Sequence, residues 1–139
     1  MKCLVVYYSR GGKTAKVAGA IAGELGCEVC DISKGAPDVS GVDLLVVGSG
    51  TYGGNPGPSL SEFLQSIPES VGGKAAVFAT SAGPKPKSLP KMSSALEKKG
   101  YKVVSSFDCR GQFLVVNRGH PDEKDLENAR AFARDLKNK

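Results

Sequence analysis

The sequence predicts an α/β protein in which a parallel sheet is covered by helices on both faces. Three observations carry that expectation. Apolar, β-branched runs alternate with helical stretches from one end of the chain to the other. Those runs show little in-and-out alternation, the mark of strands buried on both faces. Glycine-rich and hydroxyl-rich loops follow the strands where such sheets bind ligands. A chain of 139 residues suffices for one core, and no linker or internal repeat divides it, so residues 1–139 read as a single domain.

Each element has its own signal. Residues 2–8 form an apolar strand ending in two tyrosines. A helix over about 13–25 places Val17, Ala18, Ile21, Ala22 and Leu25 on one stripe, and Gly26 ends it. Residues 27–32 read as a second strand. The run from Asp43 to Ser49 reads as a third, of the fully buried kind. A short helix follows over about 58–66, then a strand over 74–80. The next helix spans about 88–99 and stops at Gly100. The last strand starts near Tyr101, and its apolar content resumes at Gln112–Val116. A final helix begins after Pro121, where Asp122, Glu123 and Asp125 suit its positive pole, and runs to about Lys137.

Three loops follow strands and should meet at the carboxyl edge of the sheet. The first is Ser9-Arg10-Gly11-Gly12-Lys13-Thr14. Its glycines let backbone N–H groups turn toward an anion, the following helix adds its positive pole, and Ser9, Thr14 and Lys13 add hydroxyls and charge. An ordinary strand-to-helix turn is the plainer account of the same residues. The second loop is Ser49-Gly50-Thr51-Tyr52-Gly53-Gly54-Asn55-Pro56, and the third is Thr80-Ser81-Ala82-Gly83-Pro84. Small residues in all three suit close approach of backbone to a flat ligand.

Two motif matches fail on context. Gly12-Lys13-Thr14 looks like the tail of a nucleoside-triphosphate loop, but that motif needs glycine five positions earlier, where Tyr7 stands in the apolar run. Gly48-Ser49-Gly50-Thr51-Tyr52-Gly53 fits G-x-G-x-x-G literally. A dinucleotide fingerprint opens a helix directly in the first βαβ unit, whereas this match follows the third strand and meets Pro56 and Pro58.

Composition excludes further classes. Cys27 and Cys30 form a C-x-x-C within a strand, where residues three apart face opposite sides. A redox pair of that spacing sits at the start of a helix instead. With Cys3 and Cys109, they read as small buried hydrophobes. The net charge of +5 comes from 19 Lys+Arg against 14 Asp+Glu, but the lysines are scattered and aromatics few, which argues against nucleic acid. The densest basic group, Lys85, Lys87, Lys91, Lys98 and Lys99, reads as a solvated face or as a docking surface for an acidic partner. His120, between Gly119 and Pro121, has no evident carboxylate to orient it and reads as a loop residue. The chain begins with nothing like a signal peptide and holds no stretch near the roughly 20 apolar residues of a membrane span, so a cytoplasmic protein is expected.

Taken together, the three loops make the chain resemble the short-chain flavodoxins over nearly its whole length. The family's phosphate pattern, T/S-x-T-G-x-T, stands here as Ser9 to Thr14, and its aromatic-then-glycine flavin loop stands as Thr51-Tyr52-Gly53. The resemblance implies a flavodoxin-like three-layer sandwich with a five-stranded parallel sheet of order 2-1-3-4-5. It implies FMN as cofactor, bound non-covalently, and electron transport by single electrons through the flavin semiquinone. It places Ser9, Arg10, Gly11, Gly12, Lys13 and Thr14 on the phosphate. Ser49, Gly50, Thr51, Tyr52, Gly53 and Gly54 would lie along the ring, with Tyr52 stacking and Gly53–Gly54 permitting a peptide flip toward N5. The backbone of Thr80, Ser81, Ala82 and Gly83 would meet the pyrimidine edge. Turn chemistry is the plainer account of Tyr52 and the glycines.

The chain departs from that family at several points. Gly11 replaces a hydroxyl residue, the third loop has no aromatic, and neither the second nor the third loop carries an acid. The family is usually acidic, whereas this chain is basic. The expected outcome is a less negative lower potential, and redox partner proteins with acidic docking surfaces; neither nucleic acid nor a membrane is an expected partner. The alternative function is oxidoreductase activity, as a flavodoxin-like NAD(P)H:quinone reductase or another FMN-dependent reductase, which shares the fold and needs an open flavin face.

Overall fold

The strands form where β-branched residues cluster, and the order in which they pair fixes everything else. The structure is a computed structural model that describes residues 2–9, 12–51, 55–70, 72–81, 87–110 and 123–138. The strands are β1 (Cys3–Tyr8), β2 (Glu28–Asp31), β3 (Leu44–Gly50), β4 (Lys74–Ser81) and β5 (Lys102–Arg110). The helices are α1 (Lys13–Leu25), α2 (Pro58–Ser66), α3 (Ser88–Lys98) and α4 (Glu123–Leu136). All neighbouring strands pair in parallel, in the order β2-β1-β3-β4-β5. The sheet topology and the helices on its two faces agree with the expectation.

Alternate residues of each inner strand feed two separate cores. Leu4, Val6, Leu45, Val47, Ala75, Val77 and Ala79 pack with Leu60, Phe63 and Leu64 of α2 and Met92 and Leu96 of α3. Val5, Leu44, Val46, Ala76 and Phe78 pack with α1 and α4, which contribute Val17, Ala18, Ile21, Ala129, Phe132 and Leu136. Helices α2 and α3 therefore cover one face, and α1 and α4 the other. On the second face Phe107 of β5 stacks on Phe132 with ring centroids 5.3 Å apart.

The structure trims two boundaries. The second strand is four residues long, and Ile32–Lys34 form a single 3-10 turn instead of extending it. Asp31 causes this: its carboxylate accepts from the Ser33 N–H at 3.0 Å and the Ser33 hydroxyl at 2.7 Å, bending the chain. Strand β5 carries an irregularity, with Ala75 opposite Val103 but Ala76 opposite Ser105. Residues 112–116, expected to continue the last strand, lie outside the described residues.

The two cysteines of the C-x-x-C face opposite cores, Cys27 just before β2 and Cys30 within it. Cys27 packs toward the α1/α4 core and Cys30 toward the α2/α3 core. Burial, and then a hydrogen bond with Cys3, pushes the Cys27 thiol up to about 12, so it remains protonated at neutral pH. Cys3, Cys27 and Cys30 are free thiols.

At Gly48 the close packing of β3 on β4 admits no side chain. Gly48 lies opposite Phe78 in the register, and an added Cβ would sit 2.0 Å from the fully buried Phe78 ring. Gly48→Ala should lower stability by about 1–3 kcal/mol, the range for overpacking a core. Urea unfolding checks this: the midpoint should fall at an unchanged slope. Gly48→Ala combined with Phe78→Leu should recover part of the loss, and an unchanged midpoint in Gly48→Ala alone would refute the packing argument.

Candidate functional site

The carboxyl ends of β1, β3 and β4 lie side by side at one edge of the sheet. Register pairs Tyr8 with Ser49 and Gly50 with Thr80. From β1 the chain moves to one side as β2 and returns on the other side as β3, so strand order reverses between β1 and β3. Ligands of open α/β sheets bind outside the strand ends at such a reversal.

The first loop turns the chain from β1 into α1. Gly12 takes φ +83°, a left-handed conformation that favours glycine. Its N–H donates to the Ser9 hydroxyl oxygen at 2.9 Å, closing the turn. That bond uses an acceptor lone pair of Ser9 and leaves the hydroxyl hydrogen to donate elsewhere. No side chain caps α1, and its first turn holds no acid. The positive pole of the helix thus faces the crevice without a compensating charge from its own first turn.

Thr14 lies deeper than a loop residue would. It is buried, and its Oγ1 is 2.8 Å from Oγ1 of Thr80, itself buried at the end of β4. This bond ties the start of α1 to β4 across 66 positions of chain. Two hydroxyls own two hydrogens, and the bond between them uses one.

The second loop is anchored at its base. The Ser49 hydroxyl donates to the Gly50 carbonyl at 2.7 Å and accepts from the Gly57 N–H at 2.9 Å, so a fully buried side chain clasps both ends of the loop. Thr51 Oγ1 is 2.8 Å from the buried Ser88 Oγ at the start of α3. Lys91 of α3 donates to the Asn55 side-chain oxygen. Gly57 lies flat against Tyr8, where a Cβ would come within 2.2 Å of the ring. Tyr7, one residue earlier, has its phenol held above its usual range by burial, with Asp31 and then Cys30 adding to the effect.

Of the residues the sequence singled out, the structure brings Ser9, Gly12, Lys13, Thr14, Ser49, Gly50, Thr51 and Thr80 to one end of the sheet. Ser81 closes β4, and only its backbone is described. Arg10, Gly11, Tyr52, Gly53, Gly54, Ala82 and Gly83 lie outside the described residues, as does His120. Sequence reasoning missed Tyr8, Gly57 and Ser88, and it placed Lys91 only in a basic group and not at this site. Tyr8 was hidden inside an apolar run. The others contribute through partners more than thirty positions away in sequence, for Ser88 and Lys91, or through packing, for Gly57. Gly48 and Gly50 are part of β3, and among the described residues the next helix begins at Pro58, unlike a dinucleotide fingerprint. Among the described residues no group of three or more His, Cys, Asp or Glu could hold a metal ion. Among them, too, no helix is long and apolar enough to cross a membrane.

Residues 4–115 match the flavodoxin domain family. The chain belongs to the flavodoxin family. An uncharacterized protein of Methanocaldococcus jannaschii is 35% identical over 148 aligned positions that cover 98% of each chain. Oxidised flavodoxin 1 from Bacillus cereus superimposes with a TM-score of 0.81 at 25% identity, covering 99% of this chain and 98% of that one. Oxidised flavodoxin 2 from the same organism gives 0.79 at 20% identity, with 99% of both chains covered, a likeness of fold. The family and the topology agree with each other: the reversal of strand order and the loop after β1 both lie within the matched residues.

The Thr14–Thr80 bond yields a stability prediction. Thr14→Val leaves the buried Thr80 hydroxyl without its partner and should cost about 1–3 kcal/mol. Thr80→Val should cost a similar amount. The double variant should cost less than the sum of the two, because it removes both polar groups together. Equilibrium unfolding of all four proteins completes the cycle, and strictly additive losses would show that the two hydroxyls act independently.

Proposed function

We propose that this chain binds FMN non-covalently and serves as an electron carrier, passing single electrons between protein partners. The reading is carried by one observation: the ends of β1, β3 and β4 meet the uncapped pole of α1 where strand order reverses. The residues present suit the phosphate of FMN. Donors at hand are the N–H groups opening α1, the Ser9 hydroxyl hydrogen and the one hydrogen left over in the Thr14–Thr80 pair. Lys13 adds a positive charge.

On this reading Arg10 and Gly11 complete the phosphate loop. Tyr52 stacks on the ring, flanked by Gly53 and Gly54, and the backbone from Thr80 through Ser81 and Ala82 to Gly83 holds the pyrimidine edge. When bound, FMN supplies one-electron redox chemistry that side chains lack. The protein's share is to hold the phosphate and to keep the loop after β3 in place. The Ser49–Gly57, Thr51–Ser88 and Lys91–Asn55 bonds support that role by fixing the loop at its base, its start and near its far end. The free thiols of Cys3, Cys27 and Cys30, among the described residues, fit a reducing, cytoplasmic setting.

Titration of the apoprotein tests the proposal. FMN should bind at least about a hundredfold more tightly than riboflavin, the lower end of what two hydrogen bonds to a charged group give. Equal affinities would remove the phosphate site from Ser9–Thr14. Tyr52→Ala should weaken FMN binding by about 1–3 kcal/mol, on the scale of aromatic–base stacking, and relieve quenching of flavin fluorescence. Anaerobic mixing of the FMN-loaded protein with NADPH should leave the oxidised spectrum in place. Rapid bleaching would make the protein a reductase instead of a carrier.

A further inference from the structure

On the face opposite α1 and α4, helices α2 and α3 leave a groove of about 440 Å³ between them. Leu64, Pro90 and Ala95 make its apolar part, and Lys91, Lys98 and Lys99 add three ammonium groups. Among the described residues that line it, none is acidic. Lys91 and Lys98 are seven helical residues apart, about 10 Å along the axis. Lysines in a last helical turn complement the helix dipole, which accounts for Lys98 and Lys99. That explanation does not extend to Lys91 in the first half of α3, nor to the apolar surface the lysines flank. One end of the groove reaches the candidate site, because Lys91 also donates to Asn55 in the loop after β3.

We propose that this groove is the docking surface for an acidic protein partner, which seats a short segment carrying carboxylates on either side of an apolar side chain. Charge complementarity selects this occupant: like charges around an apolar cleft repel each other until carboxylates arrive, and the apolar part rewards a buried side chain. A basic or neutral segment gains only the apolar contact. Identifying the partner as the donor or acceptor of the electron rests on the carrier function proposed above. The groove's own chemistry does not depend on it.

The probe is a fluorescein-labelled peptide of glutamate and leucine, with two glutamates flanking each leucine. Its counterpart has lysine in place of glutamate. Anisotropy titration should show the acidic peptide binding, the basic one failing, and affinity falling as salt rises. Amide shift changes in NMR should map to α2 and α3. Lys98→Glu/Lys99→Glu should weaken binding at least about tenfold, and Lys98→Gln/Lys99→Gln by an intermediate factor. Lys137→Glu/Lys139→Glu, at the far end of the chain, changes net charge by the same amount and should alter affinity by less than about twofold. Equal weakening by both charge reversals, or shifts spread outside the groove, would overturn the proposal, since net charge alone would then be responsible. Binding of phosphatidylserine vesicles or RNA through this groove, in place of the acidic peptide, would overturn it as well. The peptide titrations are read on apoprotein and FMN-loaded protein alike. Failure of wild type to bind FMN would sink the carrier reading while the peptide data judged the groove.

Discussion

All seven residues of β3 are buried, and this constraint organises the molecule. A strand covered on both faces needs strands on both edges and helices above and below. Strands β1 and β4 supply the edges, and the two helix pairs supply the faces. Each fully buried Val or Leu contributes about 1.5–3 kcal/mol. The exposed ion pairs of Arg134 with Glu24 and Glu127, which link α4 to α1 and α4 to itself, are screened by solvent and add little. Burial around β3 therefore dominates, and the site inherits its position from it. The strand ends in Gly48-Ser49-Gly50, residues small enough to be buried while the chain leaves the sheet.

The described buried hydroxyls at that end are paired within the chain, and the Thr14–Thr80 pair keeps one hydrogen to donate. Thr14, Ser49, Thr80 and Ser88 are buried hydroxyls, and each has a partner. Leaving any of them unpaired would cost more than its bond gains, so the network acts as a specification of geometry. It joins α1 to β4 and the loop after β3 to α3. The helices are thus held to the crevice by hydroxyl pairs, and to the sheet by apolar contact.

Much of this was legible in the sequence because it is local. The strands of β1, β3 and β4 announced themselves through runs such as Leu4-Val5-Val6 and Leu44-Leu45-Val46-Val47, and α1 through its stripe and terminal glycine. The 3-10 turn after β2 was less visible, since Asp31 reads as strand or turn until its carboxylate finds Ser33. The partners of Thr14 and Ser49 were not legible. Both have the chemistry of ligand donors, yet Thr14 meets Thr80 and Ser49 meets Gly57, partners that only the folded chain supplies. The close fit of Gly48 under Phe78 and Gly57 on Tyr8 was equally invisible, because it depends on register between strands and on the path of a loop.

Ser49 has one more consequence. Its hydroxyl spans from Gly50 to Gly57, so the ends of the intervening loop are fixed independently of what lies between them. Loss of the Ser49 side chain would therefore release both ends of the loop at once. A single buried hydroxyl thus sets how far apart the two ends of the loop stand.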